Sequence, residues 1–159
     1  MNKFIATAAA LMLAVPALAE NHEAAEMVAP SGDAEAGEML FNRQCIACHV
    51  VRDDAGEVLA GRNARNGPNL YGIAGRAIGS QAGFRYGKSL SAVAETGNLW
   101  DEAEFVTYVQ DPTGWLRETL DDSKARSKMA FKVRKQEEAT DIYAFLYALK
   151  PPAMDDKAE

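Results

Sequence analysis

The chain has 159 residues, with 17 basic against 23 acidic side chains, a formal net charge of −6, 48% hydrophobic residues, 2 cysteines and 2 histidines. That length makes one domain, and an acidic balance disfavours bulk binding to nucleic acid or to an anionic membrane.

In chain order, Lys3 precedes an uncharged apolar run from Phe4 to Leu18 that ends in Ala17-Leu18-Ala19. This reads as a secretory signal peptide over residues 1–19, cleaved after Ala19; a membrane span would need about 20 apolar residues, more than the run supplies. The mature chain then loses only Lys3 among its charges, leaving 16 basic against 23 acidic residues and a net charge of −7. Residues 20–31 are acidic, alanine-rich and aperiodic, a flexible leader in which His22 is solvated. The domain proper is expected over 32–150, with a tail at 151–159.

A first helix is expected from Asp33 as N-cap to about Gln44, with Ala36, Leu40 and Phe41 on one side. Gly37 inside it costs about 1 kcal/mol relative to alanine, and a close helix crossing competes here with a merely tolerated glycine. Residues 45–49 then read Cys-Ile-Ala-Cys-His, using both cysteines and one of the two histidines. This pattern is an attachment site for covalent haem c: two thiols add across the porphyrin vinyl groups, and the histidine after the second thiol becomes an axial ligand. A structural disulfide or a redox dithiol is the competing reading of Cys45 and Cys48, but neither uses His49. Covalent haem attachment agrees with export to the periplasm.

From Val50 to Gly67 the chain is polar, with Asp53-Asp54-Ala-Gly56 as a turn. Most of the 12 glycines lie between residues 56 and 97, which suits loops wrapped around a large flat group. A short helix is expected from about Gly87 to Glu95. Another starts at Asp101 and carries Phe105, Val106, Tyr108 and Val109 up to Asp111-Pro112, where a short turn through Trp115 and Leu116 follows. From Ser123 to Lys135 stand Lys124, Arg126, Lys128, Lys132, Arg134 and Lys135 with no carboxylate between them; a docking face for an acidic partner competes here with an ordinary solvated loop. The last helix runs from about Gln136 to Leu149 on a stripe of Ala139, Ile142, Tyr143, Phe145, Leu146 and Leu149, and Pro151-Pro152 stop it. No convincing sheet is read. The expectation is an all-α domain of three main helices, short helices and Gly-rich loops around one porphyrin.

A sixth iron ligand separates an electron carrier from an enzyme. His22 lies in the leader, Met1 and Met12 leave with the signal, Met27 and Met154 lie in the tails, and Met39 is on the first helix. Met129, in Lys128-Met129-Ala130-Phe131, is therefore the candidate ligand, with plain core packing as the alternative.

These segments together resemble the class I c-type cytochromes: Gly-Asp-Ala-Glu-Ala-Gly37 before Phe41, Cys45 to His49, Gly67-Pro68-Asn69-Leu70, Gly75-Arg76, Phe84-Arg85-Tyr86, Trp100, Tyr108 with Asp111-Pro112, and Lys128-Met129-Ala-Phe131. The longer stretches 50–66 and 115–128 are similar to the large bacterial cytochrome c2 branch and its relatives called cytochrome c550. The resemblance covers Gly32 to about Leu149 and implies the class I cytochrome c fold. It implies that the Pro68 carbonyl accepts the His49 Nδ1 proton, that Arg76, Tyr86 and Trp100 hold the haem propionates, that the Tyr108 hydroxyl faces the Met129 sulfur, and that Gly37 and Phe41 pack near Phe145 and Leu146. The implied protein is a soluble, monomeric, non-enzymatic carrier of single electrons, from the cytochrome bc complex to a photosynthetic reaction centre or a terminal oxidase. The contrasting reading is a peroxidase-like haem enzyme with a labile Met129, disfavoured because the folded region holds no second histidine for proton transfer. A haem-delivery role fits poorly with covalent attachment.

Overall fold

The computed structural model describes residues 28–152; the signal peptide reading, His22, Met27, most of the leader and residues 153–159 lie outside the described residues. Helix α1 (Ala34–Gln44) starts where the Asp33 carboxylate accepts the amides of Glu35 and Ala36, at 2.8 and 3.2 Å, so two of the amides that a helix start leaves without partners are satisfied locally. Ser31, placed by the sequence in a flexible leader, is tied down. Its amide and hydroxyl donate to the two carboxylate oxygens of Glu102, at 2.7 and 2.6 Å, and the next amide but one, that of Asp33, donates to Asp141 Oδ1 at 2.9 Å.

After α1 comes a small antiparallel hairpin, β1 (Val50–Arg52) and β2 (Val58–Gly61), in register with Val50 opposite Gly61 and Val51 opposite Ala60. The sequence reading missed it and found only its turn. Strands of three and four residues are too short for an alternating pattern to stand out, while the turn is locally marked: Asp53 Oδ1 accepts the Glu57 amide at 2.8 Å, and Gly56 takes a φ of +88° that costs glycine little.

Helix α2 (Lys88–Ala94) is short. Helix α3 (Glu102–Gln110) is capped by Asp101, which accepts the Glu104 amide at 2.7 Å. Asp111 ends α3 and caps α4 (Pro112–Thr119) through the Gly114 amide at 3.0 Å, with Pro112 at the first helical position. The expected short turn is thus an eight-residue helix. Burial of Trp115 and Leu116 gives it a face against α2 and α3, a tertiary contribution that its own composition, with Gly114 and two threonines, does not announce.

Helix α5 (Gln136–Leu149) carries the apolar stripe read from the sequence and crosses α1. At the crossing, a Cβ on Gly37 would stand 1.9 Å from the Asp141 carbonyl oxygen and 2.8 Å from Phe145 Cβ, so only glycine permits this approach. Phe41 is fully buried beside Phe145, with ring centroids 5.5 Å apart; burying such a ring contributes about 1.5–3 kcal/mol. Helix α3 packs on α5 through Phe105 and Tyr143, 5.4 Å apart. A second cluster joins Trp100, Tyr108 and Trp115, with Trp115 Nε1 donating to Glu104 at 2.8 Å. Among the described residues, no helix is long and apolar enough to cross a membrane. The glycine-rich segment between β2 and α2 and the segment between α4 and α5 close around a cavity beside the end of α1.

Candidate cofactor site

The Cys-Ile-Ala-Cys-His sequence sits at the end of α1 because Cys45 caps that helix: its amide donates to the Phe41 carbonyl at 2.9 Å, and the amides of Cys48 and His49 fold back onto the Cys45 carbonyl at 3.1 and 3.0 Å. Both thiols are free, and both border the same cavity as His49. Burial, and after it the neighbouring Cys48, push the Cys45 thiol up to about 12. A redox dithiol needs the opposite environment, one that stabilises a thiolate.

His49 Nδ1 lies 3.0 Å from the Pro68 carbonyl oxygen. That oxygen can only accept, so Nδ1 carries the proton and Nε2 keeps its lone pair. Burial holds the imidazole below its ordinary value, opposed by the Pro68 bond, and a neutral ring is the form that binds a metal. Gly67 makes room for the ring: a Cβ there would stand 2.3 Å from His49 Cε1 and 2.5 Å from Nδ1.

The cavity has a volume of about 350 Å³. Cys45, Cys48, His49, Pro68, Arg76, Tyr86, Trp100, Tyr108 and Met129 all line it, although they come from well-separated parts of the chain. Leu70, Ile73, Phe105 and Val133 make much of the remaining wall apolar.

Arg76 donates through Nη1 to the Tyr71 carbonyl at 3.0 Å and to Gln81 Oε1, and through Nη2 to the Asn69 carbonyl at 3.1 Å. Its Nε is the one buried side-chain polar atom without a partner among the described residues. A buried donor on a cation is costly to leave unpaired, so an anionic acceptor is called for here. Tyr86 accepts the Gln81 amide at 3.3 Å, which uses a lone pair of the hydroxyl and not its proton. Trp100 is buried with its ring 5.1 Å from Tyr108.

The Tyr108 hydroxyl lies 3.1 Å from Ser127 Oγ. Ser127 Oγ also accepts the Met129 amide at 3.0 Å, and the Ser127 amide donates to Thr113 Oγ1 at 3.3 Å. A serine two residues ahead of Met129 closes a local side-chain turn, and that turn places an acceptor within reach of Tyr108. The sequence reading passed over Ser127; the only signal was the serine's position before the methionine. Burial pushes the Tyr108 phenol up, with the Ser127 bond opposing, so it stays a proton-bearing hydroxyl.

The six cations of the 123–135 segment are all exposed. Arg126 and Lys128 border the cavity, as does Phe131, which is 48% exposed; the other four cations do not. Lys132 pairs with Asp111 at 2.7 Å and Lys135 with Glu138 at 3.4 Å. Asp111 stands at the α3–α4 junction and Glu138 in the first turn of α5, three residues after Lys135, so the run alone overstates the free positive charge of this segment.

A cavity with two thiols, an imidazole and a thioether on its border, an unpaired cationic donor within and otherwise mostly apolar walls fits covalent haem c. No protein-family model matches the chain. It is 63% identical over 119 residues to a cytochrome c2 of Rhodovulum adriaticum, covering 75% of this chain and 94% of that one. It is 43% identical to cytochrome c-550 of Paracoccus versutus, covering 93% and 88%. The crystal structure of cytochrome c2 from Rhodobacter sphaeroides superposes with a TM-score of 0.71 at 50% identity, covering 74% of this chain and 95% of that one.

Proposed function

The chain belongs to the cytochrome c2 family of class I c-type cytochromes, and from that membership we infer that it is a periplasmic monohaem electron carrier with His49 and Met129 as iron ligands. Its donor is the cytochrome bc complex and its acceptor a photosynthetic reaction centre or a terminal oxidase. The observation that carries this reading is that both thiols, the imidazole and the thioether border one cavity, although Met129 is distant from the other three in sequence.

Bound there, haem c would supply one-electron chemistry at its iron. Cys45 and Cys48 would hold it, each thiol adding across a porphyrin vinyl group. His49 presents Nε2 while Pro68 holds its other nitrogen, which fixes the ring and strengthens the donor. The Met129 thioether raises the potential and closes the site to small ligands, and Ser127 holds the backbone that carries it. Arg76 Nε, with Tyr86 and Trp100, receives the propionate charge. The apolar walls exclude water and keep reorganisation small. Arg126 and Lys128 attract an acidic partner to the cavity mouth, where Phe131 is exposed.

The test is a redox titration of the purified holoprotein in carbon monoxide and in its absence. One-electron reversible behaviour, one haem per chain by mass, and a ferrous spectrum untouched by carbon monoxide are expected. Rapid carbon monoxide binding by the wild type would instead indicate an open site of the peroxidase kind.

A further inference from the structure

We propose that Asn69 is a positioning residue for the iron ligand: its side-chain amide fixes the Pro68 carbonyl against His49 by locking the segment Gly67–Leu70 to the strand that follows His49. The inference rests on His49 being the haem ligand.

Pro68 has no amide hydrogen, so it cannot hold its own place in a hydrogen-bonded ladder, and its carbonyl is placed by its neighbours. The Gly67 amide donates to the Cys48 carbonyl at 2.7 Å and the Leu70 amide to the Val50 carbonyl at 3.0 Å. Segment 67–70 thereby runs alongside residues 48–52 as a single parallel bridge between Val50 and Asn69. One bridge is a weak attachment for a carbonyl that must meet Nδ1 at hydrogen-bond distance.

Asn69 supplies the rest. Its Oδ1 accepts the Arg52 amide at 2.9 Å and the Tyr71 amide at 3.2 Å, while its Nδ2 donates to the Arg52 carbonyl at 2.6 Å. The side chain thus engages both backbone groups of Arg52 as a further strand residue would, and does so for the residue next to Pro68. Only an amide presents acceptor and donor together in this fork; an ionised aspartate accepts but cannot donate. The backbone carbonyl of Asn69 is held in turn by Arg76 Nη2 at 3.1 Å, so the consecutive carbonyls of Pro68 and Asn69 serve the histidine and the cavity arginine respectively.

The consequence for the iron follows from the hydrogen bond to Nδ1, which makes the imidazole a stronger donor and favours ferric iron. Releasing Asn69 lets the Pro68 carbonyl move, weakens that bond, exposes the Nδ1 proton to exchange and raises the potential.

The experiment uses holoprotein labelled with 15N-histidine, reading the solvent exchange of the His49 Nδ1 proton by NMR in the ferrous state, together with the potential. Asn69→Ala should speed that exchange by roughly tenfold or more and raise the potential. Asn69→Asp, which keeps the acceptor and loses the donor, should do the same to a smaller extent and serves if the alanine variant does not fold. Arg52→Ala is the control. The Arg52 side chain donates to the Gly56 carbonyl and to Asn63 and makes no bond to Asn69, so its loss removes only contacts at the turn and leaves the Arg52 backbone that Asn69 grips, and exchange and potential should stay at wild-type values. Unchanged exchange in a folded Asn69 variant, or an equal change in Arg52→Ala, would overturn the proposal alone. A wild-type spectrum without an iron-bound His49 would overturn the ligand reading and the proposal with it.

Discussion

Gly67 and His49 are packed so closely that a Cβ on residue 67 would stand 2.3 Å from Cε1, 2.5 Å from Nδ1 and 2.7 Å from Nε2 of the imidazole. The missing side chain is therefore what seats the imidazole, with the ring lying against backbone on one side and bonded to the Pro68 carbonyl.

Gly67→Ala sets two effects against each other. Restricting the unfolded chain stabilises by about 0.4–1 kcal/mol, while forcing a methyl into a rigid ring costs about 1–3 kcal/mol. The ring is already held at Nδ1 by the Pro68 carbonyl, and the proposed iron bond would hold Nε2 as well, so the overlap wins. Denaturant unfolding of the haem-loaded variant should show a lower midpoint and a displaced His49 NMR signal. A midpoint at or above wild type would mean that the ring lies elsewhere.

Asp111 gives a pH signature. The bond from Lys132 and then the Gly114 amide hold its carboxyl below the ordinary carboxylate value of 3.8. A carboxyl depressed on folding stabilises the protein above its unfolded pKa and loses that contribution as pH falls through the folded one. The effect therefore sits below about pH 4. Asp111→Asn should make acid unfolding less steep there, and Lys132→Met should move the transition in the same direction with the cap intact. Both are read by circular dichroism across an acid titration; identical acid limbs for wild type and Lys132→Met would remove the ion pair from the account.

What the sequence makes legible is what local chemistry encodes. The Cys45–His49 pentapeptide, the caps at Asp33, Asp101 and Asp111-Pro112, and the α5 stripe each carry their signal within a few residues, and the helices begin and end close to where those signals stand. Gly37 is half legible, because glycine is unfavourable inside a helix and so marks a special position, but only the approach of the Asp141 backbone shows that it is a crossing and not a tolerated glycine. The hairpin at Val50–Gly61 does not declare itself, since its strands of three and four residues span at most two periods of alternation. Nor do the contacts that place the site. Ser127 meets Tyr108 19 residues away, and Asn69 grips a backbone 17 residues upstream; neither partner is marked by composition. The basic run is readable as charge, but the carboxylate that engages Lys132 comes from Asp111, 21 residues upstream.

That pairing divides the cations into two groups with different expected effects. Arg126→Glu with Lys128→Glu, at the cavity mouth, should slow association with a purified acidic partner by roughly tenfold or more at low salt, because steering acts on the on-rate. Lys135→Glu, already paired with Glu138, should slow it less. The difference should shrink between about 0.01 M and 0.15 M salt as the Debye length falls from about 30 to about 8 Å. Second-order rates across that range decide it: equal rates for both sets would place docking on another surface.

The claim that Met129 completes the iron's coordination is tested most directly by the far-red methionine-to-iron absorption band of the ferric protein, recorded for wild type and Met129→Ala. The account predicts the band in the wild type, its loss in Met129→Ala with covalent haem retained through Cys45 and Cys48, a lower potential, and rapid cyanide binding. A band that persists in Met129→Ala, or a potential unchanged by the substitution, would contradict it.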